Sequence, residues 1–117
     1  MQRDERAYLN DILEACAAIQ SAVSGLDLTA YRADRLVRSA VEREFIIIGE
    51  AVAALSHVAP QLVARITQAR RIVDFRNQLT HEYPTVDDAV VWFIAEHDVP
   101  VLRRECAALL TVDPPEG

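Results

Sequence analysis

The sequence contains no lysine: all 12 of its basic residues are arginine. Compositional bias is the simplest source of that skew, although arginine also suits bidentate phosphate recognition better than lysine does. Glycine occurs 3 times and proline 5 times, too few for a low-complexity or linker-rich chain. The 2 cysteines, Cys16 and Cys106, stand far apart, with no CxxC and no neighbouring histidine cluster. That pattern excludes a disulfide scaffold and a zinc ribbon, and reads as two reduced core thiols. No apolar run approaches the roughly 18 residues of a membrane span. The stretch MQRDERAYLNDILEA carries acids and lacks the apolar region of a signal peptide, so a cytoplasmic protein is expected. GxxxxGK, GxGxxG and metal-ligand spacings are missing too, so neither a metal nor a cofactor is expected. The net charge of −6 argues against indiscriminate nucleic-acid binding, which relies on phosphate neutralisation, but leaves room for a local basic cleft.

What remains is a helical composition. Hydrophobic residues make up 51% and charged residues 26% of the 117 positions, a globular balance that fits one domain. Alanine, leucine, isoleucine and valine alternate with charges at helical spacing, which favours an all-α fold. One domain is expected over residues 1–112, with residues 113–117 as a frayed tail.

Four helical segments emerge. The first runs from about Arg3 to Ser24, with Leu9, Ile12, Cys16, Ile19 and Val23 as its stripe and Gly25 as a stop signal. The second starts near Asp27 or Thr29 and reaches about His57. Val37, Val41, Phe45, Ile48, Val52 and Leu55 form its stripe, widened by Leu36, Ala40, Ile47 and Ala51. A face that wide predicts burial on two sides, by the core and by a partner. Pro60 opens the third, whose stripe is Leu62, Ile66, Ala69 and Val73. The fourth is capped by Thr85 or Asp87, and Pro100 should kink it or restart it near Asp98. Leu102, Cys106 and Leu109 carry its stripe onward. Short connections make this an up-down antiparallel four-helix bundle with a kinked last helix.

The third stripe steps from Val73 to Arg76 and then runs into RNQLTHEY, Arg76 to Tyr83. Burying a guanidinium without a partner is costly, so Arg76 either ends the stripe at the bundle edge or faces something anionic. An ion pair with an acid such as Glu50 would satisfy it structurally. Asn77 and His81 are four apart and neighbours on a helix. Arg76 and His81 are five apart, about 140° around the axis, and share a face only if the helix ends before His81. Arginine and asparagine donate to phosphate oxygens, and histidine moves protons near neutral pH. Tyrosine adds a hydroxyl or a stacking face. Taken singly, each of these residues also has an ordinary structural use.

The order R-N-x-x-x-H-x-Y after a long helix resembles the R-x(4–6)-H signature of HEPN domains, and in particular the HepT toxins. RDERAYLNDILEACAAI is similar to that family's first helix. AVEREFIIIGEAVAALS, with Arg43 and the Gly49-Glu50 pair, is similar to its second. FRNQLTHEYPTVD resembles the signature region, and VVWFIAEHDVPVL the kinked last helix. The resemblance implies a metal-independent endoribonuclease that works as a homodimer, with two signatures facing each other across a cleft that takes RNA. Arg76 and His81 would be catalytic and Asn77 would position phosphate. Glu50 and Arg43 would support them, Glu50 by pairing with Arg43 or Arg76. The resemblance further implies a MntA-type nucleotidyltransferase antitoxin that adds AMP to Tyr83. A rival reading keeps the same residues in a catalytically silent, nucleotide-binding HEPN-like subunit that partners a nucleotidyltransferase. A third is a plain helical dimerisation domain.

Overall fold

The computed structural model describes residues 4–82 and 85–111. Among them there is no strand, and the helices are α1 (Glu5–Val23), α2 (Leu28–Ala33), α3 (Arg35–Val58), α4 (Pro60–Val63), α5 (Ala69–His81) and α6 (Asp88–Thr111). The chain is an all-α bundle built on four helices, α1, α3, α5 and α6, with α2 and α4 as short additions. Tyr83, Pro84 and the tail 113–117 lie outside the described residues.

Helix α1 starts where Asp4 accepts a hydrogen bond from the Ala7 amide at 2.9 Å, and Glu5 adds a negative charge to the first turn. It stops at Ser24, followed by Gly25 at φ 76°, the left-handed conformation that glycine adopts without penalty. All five residues of the expected stripe are buried. Cys16 on this helix and Cys106 on α6 are free thiols inside the core, and burial pushes each of them up to about 12.

The expected second helix is two helices. Asp34 leaves the helical conformation, and its carboxylate accepts from the Val37 amide at 3.1 Å, so the residue that ends α2 also caps α3. The expected third helix is likewise broken, into α4 and α5. Through residues 64–68 the chain turns, with Ile66 buried in the core although it is no longer helical. The break is held from across the bundle. Glu105 of α6 accepts from the Thr67 amide at 3.2 Å and from the Thr67 hydroxyl, which satisfies a donor that the helix would otherwise have used.

Asp87 caps α6, accepting from the Ala89 amide at 2.8 Å. Pro100 lies inside α6, which continues past it to Thr111 without the expected restart near Asp98.

Helix α3 is the centre of the bundle, with α1 and α5 packed against it and α4 and α2 covering its ends; α1 also packs on α6. This accounts for most of the wide apolar face. Its two sides are covered within one chain, by α1 and α5. Two of the residues that widened it, Leu36 and Ala40, are exposed, Leu36 by 82%. Apolar side chains are left in water on α6 as well, where Val90 is 50% and Phe93 55% exposed. Helices α5 and α6 lean apart over α3. Between them lies a groove of about 250 Å³ with Phe45, Phe75 and Ile94 among its walls and Arg71, Asp74 and Asp98 on its polar side.

Candidate active site on helix α5

The sequence placed Ala69 and Val73 in the buried stripe leading to Arg76. In the structure they are half-buried, and the core face of α5 is Phe75 and Leu79. Phe75 packs edge-on against Phe45 of α3, with ring centroids 5.2 Å apart. Arg76 therefore stands at the margin of the core face, half-buried, with Asn77, Thr80 and His81 exposed beyond it.

The stem of Arg76 lies directly on Gly49 of α3. A methyl group on Gly49 would collide with the Cβ of Arg76 and come within 2.6 Å of its Cγ. The absence of a side chain at position 49 is what lets α5 approach α3 this closely. At the other end of the side chain, the Nε of Arg76 is shut away from solvent with no hydrogen-bond partner. Among the described residues no ion pair reaches Arg76 either. Buried polar groups in native folds are almost always paired, so an Nε left without a partner among the described residues marks Arg76 as a candidate for binding.

The expected supporting pair is arranged differently. Glu50 and Arg43 are both exposed on α3, and among the described residues Glu50 is ion-paired with neither Arg43 nor Arg76. The reason is geometric: Gly49, not Glu50, is the residue of that turn that faces α5.

Helix α5 continues through His81, with the Glu82 amide bonded to the Gln78 carbonyl at 2.7 Å and the Thr80 hydroxyl to the Arg76 carbonyl at 2.8 Å. The helix does not end before His81, so Arg76 and His81 stay about 140° apart around one axis. Asn77 and His81 share the exposed face, one turn apart. The structure thus brings Asn77 and His81 together and sets Arg76 on the adjoining flank. Tyr83 lies outside the described residues.

The family profile described as HepT-like, ribonuclease HepT-like, matches residues 12–109, from the middle of α1 to near the end of α6, and includes the R-N-x-x-x-H signature. The chain belongs to the HepT-like ribonuclease family. Its relatives include a "putative RNase" of Methanocaldococcus jannaschii, 30% identical over 104 residues, which are 89% of this chain and 94% of that protein. A "probable ribonuclease HepT" of Thermococcus cleftensis is 31% identical over 103 residues, 88% of this chain and 93% of its own. A "putative RNase" of Caldanaerobacter subterraneus is 28% identical over 105 residues, 90% of this chain and 93% of that one. No solved structure matches. No helix of the HepT-like chain is long and apolar enough to cross a membrane, among the described residues.

Sequence reasoning overlooked two features. One is Gly49. Its signal was present, since a glycine in a helix interior costs about 1 kcal/mol relative to alanine and so calls for a packing reason. The other is a polar cluster where α2, α3 and the start of α6 meet. There Arg38 pairs with Asp88 at 3.9 Å and Arg32 with Asp87 at 3.6 Å. Tyr31 is fully buried, and its hydroxyl has no hydrogen-bond partner. Burial first, then the charges of Glu42 and Asp88, push its pKa up against the pull of Arg38. Burial and Asp88 raise Glu42 in the same way, again opposed by Arg38. These two ion pairs connect α2 and α3 to the start of α6.

Proposed function

We propose that this chain is an endoribonuclease that cleaves RNA through the RNA's own 2′-hydroxyl, without a resident metal. The observation that carries the reading is the half-buried Arg76, unpaired at Nε, followed on the same helix by exposed Asn77 and His81 in the family's order. The 2′-oxygen bonds to phosphorus and the bond to the 5′-oxygen breaks, leaving a 2′,3′-cyclic phosphate. His81 takes the 2′-hydroxyl proton or gives one to the departing 5′-oxygen. Arg76 stabilises the charge that grows on the phosphoryl oxygens, and Asn77 holds the phosphate.

The working form in this proposal is a homodimer. A separation of about 140° on one helix keeps Arg76 and His81 of one copy from converging on a single oxygen. Two copies of α5 facing each other would let the arginine of one meet the histidine of the other. The exposed Val90 and Phe93 on α6 are apolar surface such an association would cover.

In the same reading the chain is the toxin of a toxin–antitoxin pair, and a MntA-type nucleotidyltransferase silences it by transferring AMP from ATP to the Tyr83 hydroxyl, releasing pyrophosphate. The added phosphate would compete for Arg76 and repel RNA. Tyr83→Phe should then stay active and escape silencing; silencing equal to that of the wild type would refute this part.

The central test is RNA cleavage by the purified chain in EDTA, beside His81→Ala of matched fold and oligomeric state. Cyclic-phosphate ends that fall by about 10²–10⁴-fold in the variant are the expected result. No cleavage of tRNA, rRNA or mRNA by a chain shown by mass spectrometry to be unmodified at Tyr83 would overturn it, and would leave the silent nucleotide-binding subunit.

A further inference from the structure

The geometry points to Gly49 as a positioning residue for Arg76, acting by the absence of a side chain. The inference deepens the ribonuclease reading above and rests on it for its catalytic half. Gly49 is buried in the middle of α3, where glycine is a poor helix former. Its backbone conformation gives no reason for it, since Gly25 is the glycine with positive φ among the described residues. The reason is on the facing helix. The space that a Cβ at position 49 would fill holds the Cβ and Cγ of Arg76, and the Ile72 carbonyl oxygen is 3.4 Å from the same point.

The consequence is directional. A long arginine stem on an exposed helix flank samples many rotamers, and each one must be lost before the guanidinium can meet a phosphate. Here the first two carbons are laid against bare α3 backbone, while Phe75, the preceding residue, locks the helix onto Phe45. The stem leaves this contact with its Nε already out of water and without a partner. The stem is therefore confined before any substrate arrives, which lowers the ordering cost of bringing the guanidinium to a phosphate.

The test is a cycle of Gly49→Ala, Arg76→Gly and the double variant. Melts come first, and they do not depend on any enzymatic activity. In the wild-type background Gly49→Ala should lower the unfolding midpoint by several degrees, because the methyl group and the Arg76 stem cannot share the space. In the Arg76→Gly background the same substitution should raise it, because the space is open and alanine is the better helix former. A loss of equal size in both backgrounds would overturn the inference.

Cleavage is read second. Gly49→Ala should cut kcat by about 10- to 100-fold while KM stays within about threefold, the signature of a misaimed group rather than a lost binding surface. Guanidinium at a non-denaturing concentration should restore cleavage to Arg76→Gly and to the double variant alike. Wild-type kcat in Gly49→Ala, or rescue of the single variant alone, would show that Gly49 does not act through Arg76. A wild-type chain that cleaves no RNA would refute the ribonuclease reading instead, and the reversal of sign in the melts would still decide whether Gly49 sets Arg76.

Discussion

Arg38 and Arg76 are both half-buried, and each has its Nε closed off from water without a hydrogen-bond partner. Their surroundings differ. Arg38 sits among acids: Asp88 is 3.9 Å away, and Glu42 and the fully buried Tyr31 both feel its charge. Arg76 sits among carbon, on Gly49 and beside Phe75, with no acid in reach among the described residues. A charge neutralised by its own chain holds elements together; a charge left open is available to a ligand. The same side chain is structural in one place and a candidate for chemistry in the other, and burial alone does not tell them apart.

The comparison breaks most visibly through truncation of the two arginines. Arg76→Ala should lower RNA cleavage by about 10²–10³-fold, the scale of a lost transition-state donor, while changing stability by less than about 1 kcal/mol, because no ion pair among the described residues is lost. Arg38→Met should do the reverse. It leaves Asp88 and Glu42 without their cation and should cost about 1 kcal/mol, a modest figure because the Arg38 and Asp88 side chains are 29% and 34% exposed. Cleavage per folded molecule should be unchanged. Denaturant melts beside cleavage rates on both variants decide it, and an Arg76→Ala that loses stability but not activity would make the two arginines equivalent.

A finer test concerns the acids around Arg38. Glu42 is raised from 4.5 by burial and by Asp88. The folded chain thus keeps this proton to a higher pH than the unfolded chain does. Between the two values the unfolded state binds fewer protons, so this group's contribution to stability is fullest at low pH and falls as pH rises through the window. Glu42→Gln should remove that slope and raise stability at neutral pH relative to the wild type. Melts between pH 4 and pH 7 that show the same slope in both proteins would mean Arg38 fully compensates Glu42. A separate effect is alkaline. Cys16 and Cys106 stay protonated in the fold up to about 12 but ionise near 9 in the open chain, so stability should fall between those values. Replacing both by alanine should flatten that limb, and a fall of unchanged size would assign it to other groups.

Much of this was legible in the sequence where the signal is local. The stripe of α1, its glycine stop and the Asp87 cap of α6 follow from side-chain period and capping chemistry, which depend on near neighbours only. The R-N-x-x-x-H order named the family for the same reason: it is a short linear pattern. The two helix breaks were harder. At Asp34 a competing cap was written into the chain, but the apolar period ran across it. At residues 64–68 the stabilising partner of Thr67 is Glu105, on another helix, and no window of sequence contains both.

The sequence by itself determined an all-α chain, the core of α1 and most of α3, and the order of the signature residues, because each of these rests on periodicity or on a short pattern. The tertiary structure decided which side of α5 faces the core and that α3 is covered by α1 and α5 within one chain. It also decided that α5 continues through His81, so that Arg76 and His81 diverge, and that Gly49 rather than Glu50 meets Arg76. Those outcomes depend on how two helices approach each other in space. A helix fixes the angles among its own side chains, but its packing partner alone selects which of them is buried.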